Sequence, residues 1–146
     1  PGVNKEPEMF EDFRPVQEAA RDHDLPIAMW SYPRGQAVKE HRSRDIIAYA
    51  ARIGLELGAD FTKVKYPRDK DAMAHAVDAA ADNRVLLSGG SKTSDRDFLE
   101  LVADCMDVGV SGLAVGRNVW QREDPDDILD KLEGVVFEEA AVEDVL

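Results

Sequence analysis

Short apolar segments alternate with helical patterns along the chain, and this alternation limits the possible folds more than any other feature. The predicted strands cover residues 27–31, 59–66, 85–87 and 112–115. Helical patterns cover residues 8–24, 43–57, 69–81, 94–109 and 125–136. Such alternation predicts a parallel sheet with right-handed crossovers, either as an open doubly wound sheet or as a closed (β/α)8 barrel. A barrel typically needs ~250 residues, so these 146 residues would supply about half of one.

The second predicted strand carries Lys63 and Lys65, whose side chains point to the same side because strand side chains alternate. Two ammonium groups on one face of a buried strand are costly unless one loses its proton. A neutral lysine is a nucleophile toward carbonyl carbon and forms a Schiff base. Alternatively, both side chains lie at the strand end and extend into water. The spacing alone does not choose between the two lysines.

Glycine-rich turns follow the third and fourth predicted strands, as Ser88-Gly89-Gly90 and as Gly116-Arg117. Paired glycines expose backbone N–H groups, and an arginine fork matches phosphate oxygens. The last two strands of a barrel are a common place for phosphate binding. The alternative is a pair of glycine turns beside a surface arginine. The nucleotide-binding patterns G-x-x-x-x-G-K-[ST] and G-x-G-x-x-G are absent.

Two aromatic residues end the first predicted strand. Tyr32 could shuttle a proton to a reacting atom, or could simply pack its ring and expose its hydroxyl to water. Trp30 lies on the same face, where core packing is the simpler role. The three histidines have no metal-ligand spacing to one another or to Cys105, so we predict no metal site.

The charge composition restricts the class of partner. The net charge of −12 argues against nucleic-acid binding, which needs a basic face. Acidic residues are spread along the whole chain, which suggests adaptation to high salt, where screening removes most of the self-repulsion. The alternative is an ordinary acidic surface. No apolar run approaches the ~20 residues that span a bilayer, so we predict no membrane partner. A single cysteine and the lack of a secretion signal favour the cytoplasm.

Six motifs follow one another along the chain, namely Trp30–Gly35, Ile47–Ile53, Gly58–Asp60, Lys63–Tyr66, Leu87–Gly90 and Ala114–Arg122. In this order and with matching gaps, they resemble the archaeal-type class I fructose-1,6-bisphosphate aldolases. The resemblance covers about residues 26–137 and implies the C-terminal half, strands five to eight, of a (β/α)8 TIM barrel. Residues 1–25 would then be a loop and helix before the fifth strand, residues 26–137 four βα units, and residues 138–146 an acidic tail.

The same resemblance implies a reaction and roles for individual residues. Lys63 would form the Schiff base and Tyr32 would act as general acid and base in the reversible cleavage of fructose 1,6-bisphosphate. Trp30 would line the substrate pocket. A substrate phosphate would be held by Ser88, Gly89, Gly90, Gly116 and Arg117. The resemblance further implies a lyase of glycolysis and gluconeogenesis that needs no metal or cofactor and forms a homo-oligomer.

The chain departs from the family pattern in three places. Pro67-Arg68 stands where the family often has Thr-Gly, and Ser91 stands where it often has proline. The first four barrel strands are missing, and with them an aspartate of the first strand. A sister enzyme, 2-amino-3,7-dideoxy-D-threo-hept-6-ulosonate synthase, resembles the chain at several of the same motifs. Two further interpretations are an inactive half-barrel fragment and a phosphate-binding regulatory module.

Overall fold

The computed structural model describes all residues from 1 to 146 and contains four strands and seven helices. The strands are β1 (Ala28–Trp30), β2 (Phe61–Lys65), β3 (Arg84–Ser88) and β4 (Gly112–Ala114). The helices are α1 (Glu6–Asp22), α2 (Arg44–Glu56), α3 (Lys70–Ala80), α4 (Asp95–Asp107), α5 (Arg117–Trp120), α6 (Pro125–Phe137) and α7 (Val142–Val145). The α/β class predicted from the alternation is confirmed.

All four strands are parallel, and their order in the sheet is the order of the sequence, β1-β2-β3-β4. A doubly wound sheet would reverse its strand order at a switch point. Sequential order with crossovers of one hand instead places every connecting helix on the same face of the sheet. The structure therefore rejects the doubly wound fold.

The hydrophobic core lies between that face and the helices. A cluster of 19 buried residues joins Val64, Val85 and Leu87 of the sheet to side chains from α2, α3, α4 and α6. The opposite face has no covering layer, and Trp30 there is 60% exposed. Lys63 and Lys65 share this second face and are only half-buried.

The helices begin close to the residues predicted from the sequence, because capping is an interaction between residues near each other in the chain. The side chains of Asp69, Ser94 and Asp124 each accept hydrogen bonds from backbone N–H groups in the first turn of the helix that follows. Ser43 occupies the N-cap position of α2 without making such a bond. Gly58 follows α2 with a φ of +69°, a conformation that favours glycine.

A close approach between α2 and β2 depends on Gly54. A Cβ atom at this position would overlap the side chain of Thr62. Thr62 in turn donates a hydrogen bond of 2.5 Å from its hydroxyl to Asn83 Oδ1, and the Asn83 amide donates to the backbone oxygen of Ala59. This buried polar chain lies at the end of the strands opposite to the two glycine turns.

The structure differs from the sequence-based prediction at three helices. Helix α1 continues through Pro15. Proline has no N–H, so one carbonyl in the preceding turn loses its hydrogen-bond donor, but α1 has no buried residue and that carbonyl can bind water. Helix α5 follows β4 directly and was not predicted. The acidic tail contains α7, whose Val142 is 7% exposed and joins the core. None of the helices combines the length and the apolar character needed to cross a bilayer.

Candidate active site

The strand register lines up the chemically interesting side chains in rows across the open face of the sheet. Trp30 is paired with Lys63, and Lys65 is paired with Ser88. The Lys63 Nζ atom lies 4.8 Å from the centroid of the Trp30 ring, and the Lys65 Nζ atom lies 5.5 Å from the centroid of the Tyr32 ring. Both lysines therefore point to the same face, as their spacing predicts, and each lies against an aromatic ring.

Tyr32 connects two of the predicted site segments. Its hydroxyl donates a 3.0 Å hydrogen bond to the Ser88 Oγ atom, at the carboxyl end of β3. The chain between β1 and Tyr32 is held to the sheet because the Ser31 N–H donates to the Lys63 backbone oxygen at 3.0 Å. The phenol therefore has a fixed position above the end of the sheet, with Lys65 beneath its ring.

A cleft of about 790 Å³ opens at the carboxyl ends of the strands. Seven of the eight residues predicted as site residues line it, namely Tyr32, Lys63, Ser88, Gly89, Gly90, Gly116 and Arg117. The eighth, Trp30, is not among the lining residues, and its ring contacts Lys63 on the open face of the sheet. In parallel α/β folds ligands bind at this end of the sheet.

The charge of the cleft is opposite to that of the chain. Six lining side chains are cationic, and no aspartate or glutamate lines the cleft; the cations are Arg34, Arg42, Lys63, Lys65, Arg68 and Arg117. Three of these, Arg34, Arg42 and Arg68, were missed by the sequence-based prediction. The available signal was their position, since each lies in a loop that follows the carboxyl end of a strand.

Two of these arginines act on Lys65. Burial lowers the pKa of Lys65 below its usual value, and the guanidinium groups of Arg34 and Arg42 lower it further by repulsion. The Nε atom of Arg42 is buried and has no hydrogen-bond partner in the protein. A buried donor without a partner is unfavourable, and a bound anion would satisfy it while offsetting the repulsion between the cations.

The three glycines of the two turns are each required for a different physical reason. A Cβ atom on Gly89 would lie 2.7 Å from a methyl group of Val115, so glycine lets the turn after β3 approach the end of β4. A Cβ atom on Gly116 would overlap the Trp120 ring. Gly90 has a φ of +66° and no atom within 4 Å of the Cβ position, so its backbone is open to the cleft. The turns therefore pack closely against each other and leave a bare peptide toward the cleft.

Taken together, an amine, a phenol, a set of cations and an exposed glycine peptide surround one cleft. The amine can attack a carbonyl carbon, and the phenol can accept or donate a proton. The cations and the glycine peptide suit phosphate oxygens. The arrangement is therefore suited to Schiff-base chemistry on a phosphorylated carbonyl compound.

Comparison with protein families gives one match to most of the chain. Residues 2–122 match the model of the DeoC/LacD family aldolases.

Individual relatives agree with that match. The chain is 66% identical over 145 residues to a class 1 fructose-bisphosphate aldolase of Halobacterium salinarum, an alignment that covers 99% of this chain and 55% of the relative. It is 34% identical to 2-amino-3,7-dideoxy-D-threo-hept-6-ulosonate synthase 1 of Archaeoglobus fulgidus, over 99% of this chain and 53% of the relative. The chain thus spans about half the length of the curated relatives it matches.

A solved structure gives the same picture at the level of the fold. A Schiff-base-forming fructose-1,6-bisphosphate aldolase, studied through its reaction intermediates, superposes with a TM-score of 0.90 at 43% identity. The match covers 94% of this chain and 55% of that protein.

Proposed function

The chain belongs to the DeoC/LacD family of aldolases, and we propose that its protein is a class I fructose-1,6-bisphosphate aldolase. The reaction is the reversible cleavage of fructose 1,6-bisphosphate to dihydroxyacetone phosphate and glyceraldehyde 3-phosphate, in glycolysis and gluconeogenesis. The observation that carries the proposal is the position of Lys63. Its amine lies in a cationic cleft shared with the hydrogen-bonded pair of Tyr32 and Ser88.

In this proposal the chain is the C-terminal half of a (β/α)8 barrel. Strands β1 to β4 of this chain correspond to barrel strands five to eight. Three observations support it: sequential strand order, helices on one face only, and relatives about twice as long. Residues 1–25 form the loop and helix before the fifth strand, residues 26–137 the four βα units, and residues 138–146 the acidic tail. A first half of the barrel would cover the exposed Trp30 face and pair with the free edges of β1 and β4.

The mechanism begins at the Lys63 amine, which in its neutral form attacks the C2 ketone of the sugar. Loss of water from the carbinolamine gives a protonated imine, which withdraws electrons from the C3–C4 bond. Tyr32 takes the proton of the C4 hydroxyl as that bond breaks and glyceraldehyde 3-phosphate leaves. The remaining enamine is protonated at C3, and water hydrolyses the imine to release dihydroxyacetone phosphate and free Lys63. In the synthetic direction every step reverses.

The two ends of the substrate each carry a phosphate, and the cleft has cations on two sides. Ser88, Gly89, Gly90, Gly116 and Arg117 hold the phosphate of the dihydroxyacetone end. Arg34 and Arg42 are suited to the second phosphate. Both lie close enough to Lys65 to repel its charge, and the buried Nε atom of Arg42 has no hydrogen-bond partner in the protein. Binding energy from both ends places the ketone beside Lys63.

The heptulosonate synthase is the second candidate, favoured by its 34% identity over nearly the whole chain. The aldolase is preferred because its relative is 66% identical over the same residues. The interpretation as an inactive fragment applies to the 146 residues in isolation. A cytoplasmic homo-oligomer completes the proposal, and the acidic composition is in keeping with a relative from Halobacterium.

A direct assay tests the proposal. The complete protein is given fructose 1,6-bisphosphate, and the dihydroxyacetone phosphate released is measured by coupled oxidation of NADH. A parallel reaction supplies aspartate semialdehyde as the acceptor aldehyde. Release of triose phosphate without consumption of the semialdehyde supports the aldolase, whereas consumption of the semialdehyde supports the synthase. If no triose phosphate is released and no semialdehyde is consumed, both candidates are rejected.

A further inference from the structure

Asn118 is a buried amide that joins the two turns assigned to the substrate phosphate. Its side chain is 1% exposed. The side-chain nitrogen donates to the backbone oxygens of Gly89 at 2.6 Å and Ser91 at 3.0 Å, and Oδ1 accepts from the Thr93 N–H at 3.0 Å. All three bonds run from the start of α5 to the loop between β3 and α4, so this one side chain fixes that loop at both ends.

These bonds determine which way the loop peptides point. In a trans peptide the carbonyl and the following N–H point in opposite directions, and no cis peptide occurs in the chain. Because Asn118 holds the Gly89 carbonyl on the protein side, the Gly90 N–H faces the other way, toward the cleft. That N–H donates no hydrogen bond within the protein, and the Gly90 backbone has open space beside it.

Arg122 supports Asn118 from behind. Its Nε atom donates to the Asn118 backbone oxygen at 2.9 Å, and Nη1 donates to the Thr93 backbone oxygen at 3.2 Å. Nη1 also forms an ion pair with Asp95 at the start of α4, and the Arg122 side chain is only 7% exposed. The amide therefore has little freedom to turn away from the loop.

We propose that Asn118 is a positioning residue of the phosphate site, which holds the Gly90 N–H in place to donate to a phosphate oxygen. The inference rests on the proposed function for the identity of the ligand. Asn118 does not touch the substrate itself, and it acts through the orientation of the Gly89–Gly90 peptide. A loop fixed before binding loses less conformational freedom on binding, which strengthens phosphate affinity.

The test compares two substrates that differ only in phosphate. Asn118→Asp has nearly the same shape but removes both amide donors and sets a carboxylate against two carbonyl oxygens. Asn118→Ser is a second variant without the added charge. The control is Asn83→Asp, because Asn83 is likewise buried and its amide also donates to a backbone oxygen, at the other end of the strands. Borohydride trapping of the imine is measured in the complete protein with dihydroxyacetone phosphate and with dihydroxyacetone.

For both Asn118 variants we expect the half-saturating concentration of dihydroxyacetone phosphate to rise about tenfold or more, the effect of losing a strong hydrogen bond to phosphate. The value for dihydroxyacetone should stay unchanged. Asn83→Asp should alter neither, although it lowers the unfolding temperature. Equal changes with both substrates, or no change, would overturn the inference.

A second measurement remains decisive if the variants do not fold or if the wild type traps no imine. Inorganic phosphate should slow hydrogen exchange of a peptide spanning residues 88–93 in the wild-type protein. No protection of this peptide would overturn the positioning role. Absence of trapping together with phosphate protection would reject the aldolase proposal and keep the phosphate loop.

Discussion

The ammonium group of Lys63 lies 4.8 Å from the centroid of the Trp30 ring, and the two residues are register partners on neighbouring strands. The contact restricts the long lysine side chain to the open face of the sheet. A protonated imine at Lys63 is also a cation, so the same ring would face the reaction intermediate. The register of β1 against β2 thus determines the position of the proposed nucleophile.

Lys63→Met should abolish imine formation, because it removes the proposed nucleophile and the other lysine of this face, Lys65, lies against the Tyr32 ring and not beside Trp30. Cleavage of fructose 1,6-bisphosphate should fall by about 10⁴-fold or more, as when a covalent nucleophile is removed. Borohydride reduction with substrate, followed by peptide mass analysis, should place the adduct on Lys63 in the wild type. Lys65→Met is the matched control and should still be trapped at Lys63. An adduct on Lys65 would contradict the assignment.

Tyr32→Phe should separate bond cleavage from imine formation. The phenol hydroxyl is lost while the ring remains, so cleavage should slow by about 10²–10⁴-fold, the usual contribution of general acid–base catalysis. Trapping with dihydroxyacetone phosphate should persist. Tyr49→Phe provides the control, because the Tyr49 hydroxyl binds Glu6 away from the cleft. Loss of trapping in Tyr32→Phe would assign the hydroxyl an earlier step than the one proposed.

Phosphate affinity should depend on pH through Lys65. Its pKa is lowered by burial first and by Arg34 and Arg42 second. The usual pKa of a lysine is 10.5, and the pKa of Lys65 lies below it. As the pH rises through this lowered pKa, Lys65 loses its charge and its attraction for phosphate decreases. Arg42→Met removes one source of repulsion, so the fall should move to higher pH, and the affinity at neutral pH should drop about tenfold. Lys65→Met should lack this pH dependence.

Titration calorimetry with inorganic phosphate at a series of pH values measures each of these effects. The same fall in the wild type and in Lys65→Met would assign the pH dependence to another group. A fall in Arg42→Met that moves to lower pH would contradict the proposed repulsion.

Gly54→Ala should destabilise the fold, although alanine is the better helix former. The added methyl group would meet Thr62 in the packed layer between α2 and β2, and overpacking typically costs about 1–3 kcal/mol. Gly134→Ala is the matched control. There the nearest atom is a Val145 methyl group at 2.9 Å in the short terminal helix, which can shift. The control should be neutral or up to about 1 kcal/mol more stable. Urea unfolding of both variants measures the difference, and equal stability would contradict the packing argument.

The parts of the fold set by local interactions could be predicted from the sequence. Ser94 and Asp124 start their helices through hydrogen bonds to N–H groups two or three residues ahead, and the strands follow from short apolar runs. The continuation of α1 through Pro15 and the presence of α5 were harder to predict. The effect of a proline depends on whether the freed carbonyl meets water, and α5 is only one turn long.

The candidate site was predictable where it lies on strands or directly after them. Lys63 lies on β2 and Ser88 on β3, so the register between these two strands determines their positions. Arg34 and Arg42 come from the long loop between β1 and α2, whose course depends on contacts distant in sequence. Arg68 comes from the short loop between β2 and α3, and no spacing rule reports that these three side chains converge. Asn118 gave no signal either, because its role depends on two carbonyls almost 30 residues away.

The cationic cleft on a chain of net charge −12 has a kinetic consequence. The proposed substrate, a doubly phosphorylated sugar, is repelled at long range by the net charge of these 146 residues, and it is attracted only within about one Debye length of the opening, ~10 Å at 0.1 M salt. Added salt screens the distant repulsion more than the contacts at close range. Substrate capture should therefore become faster as ionic strength rises, the reverse of an enzyme that draws its substrate in by long-range electrostatic steering.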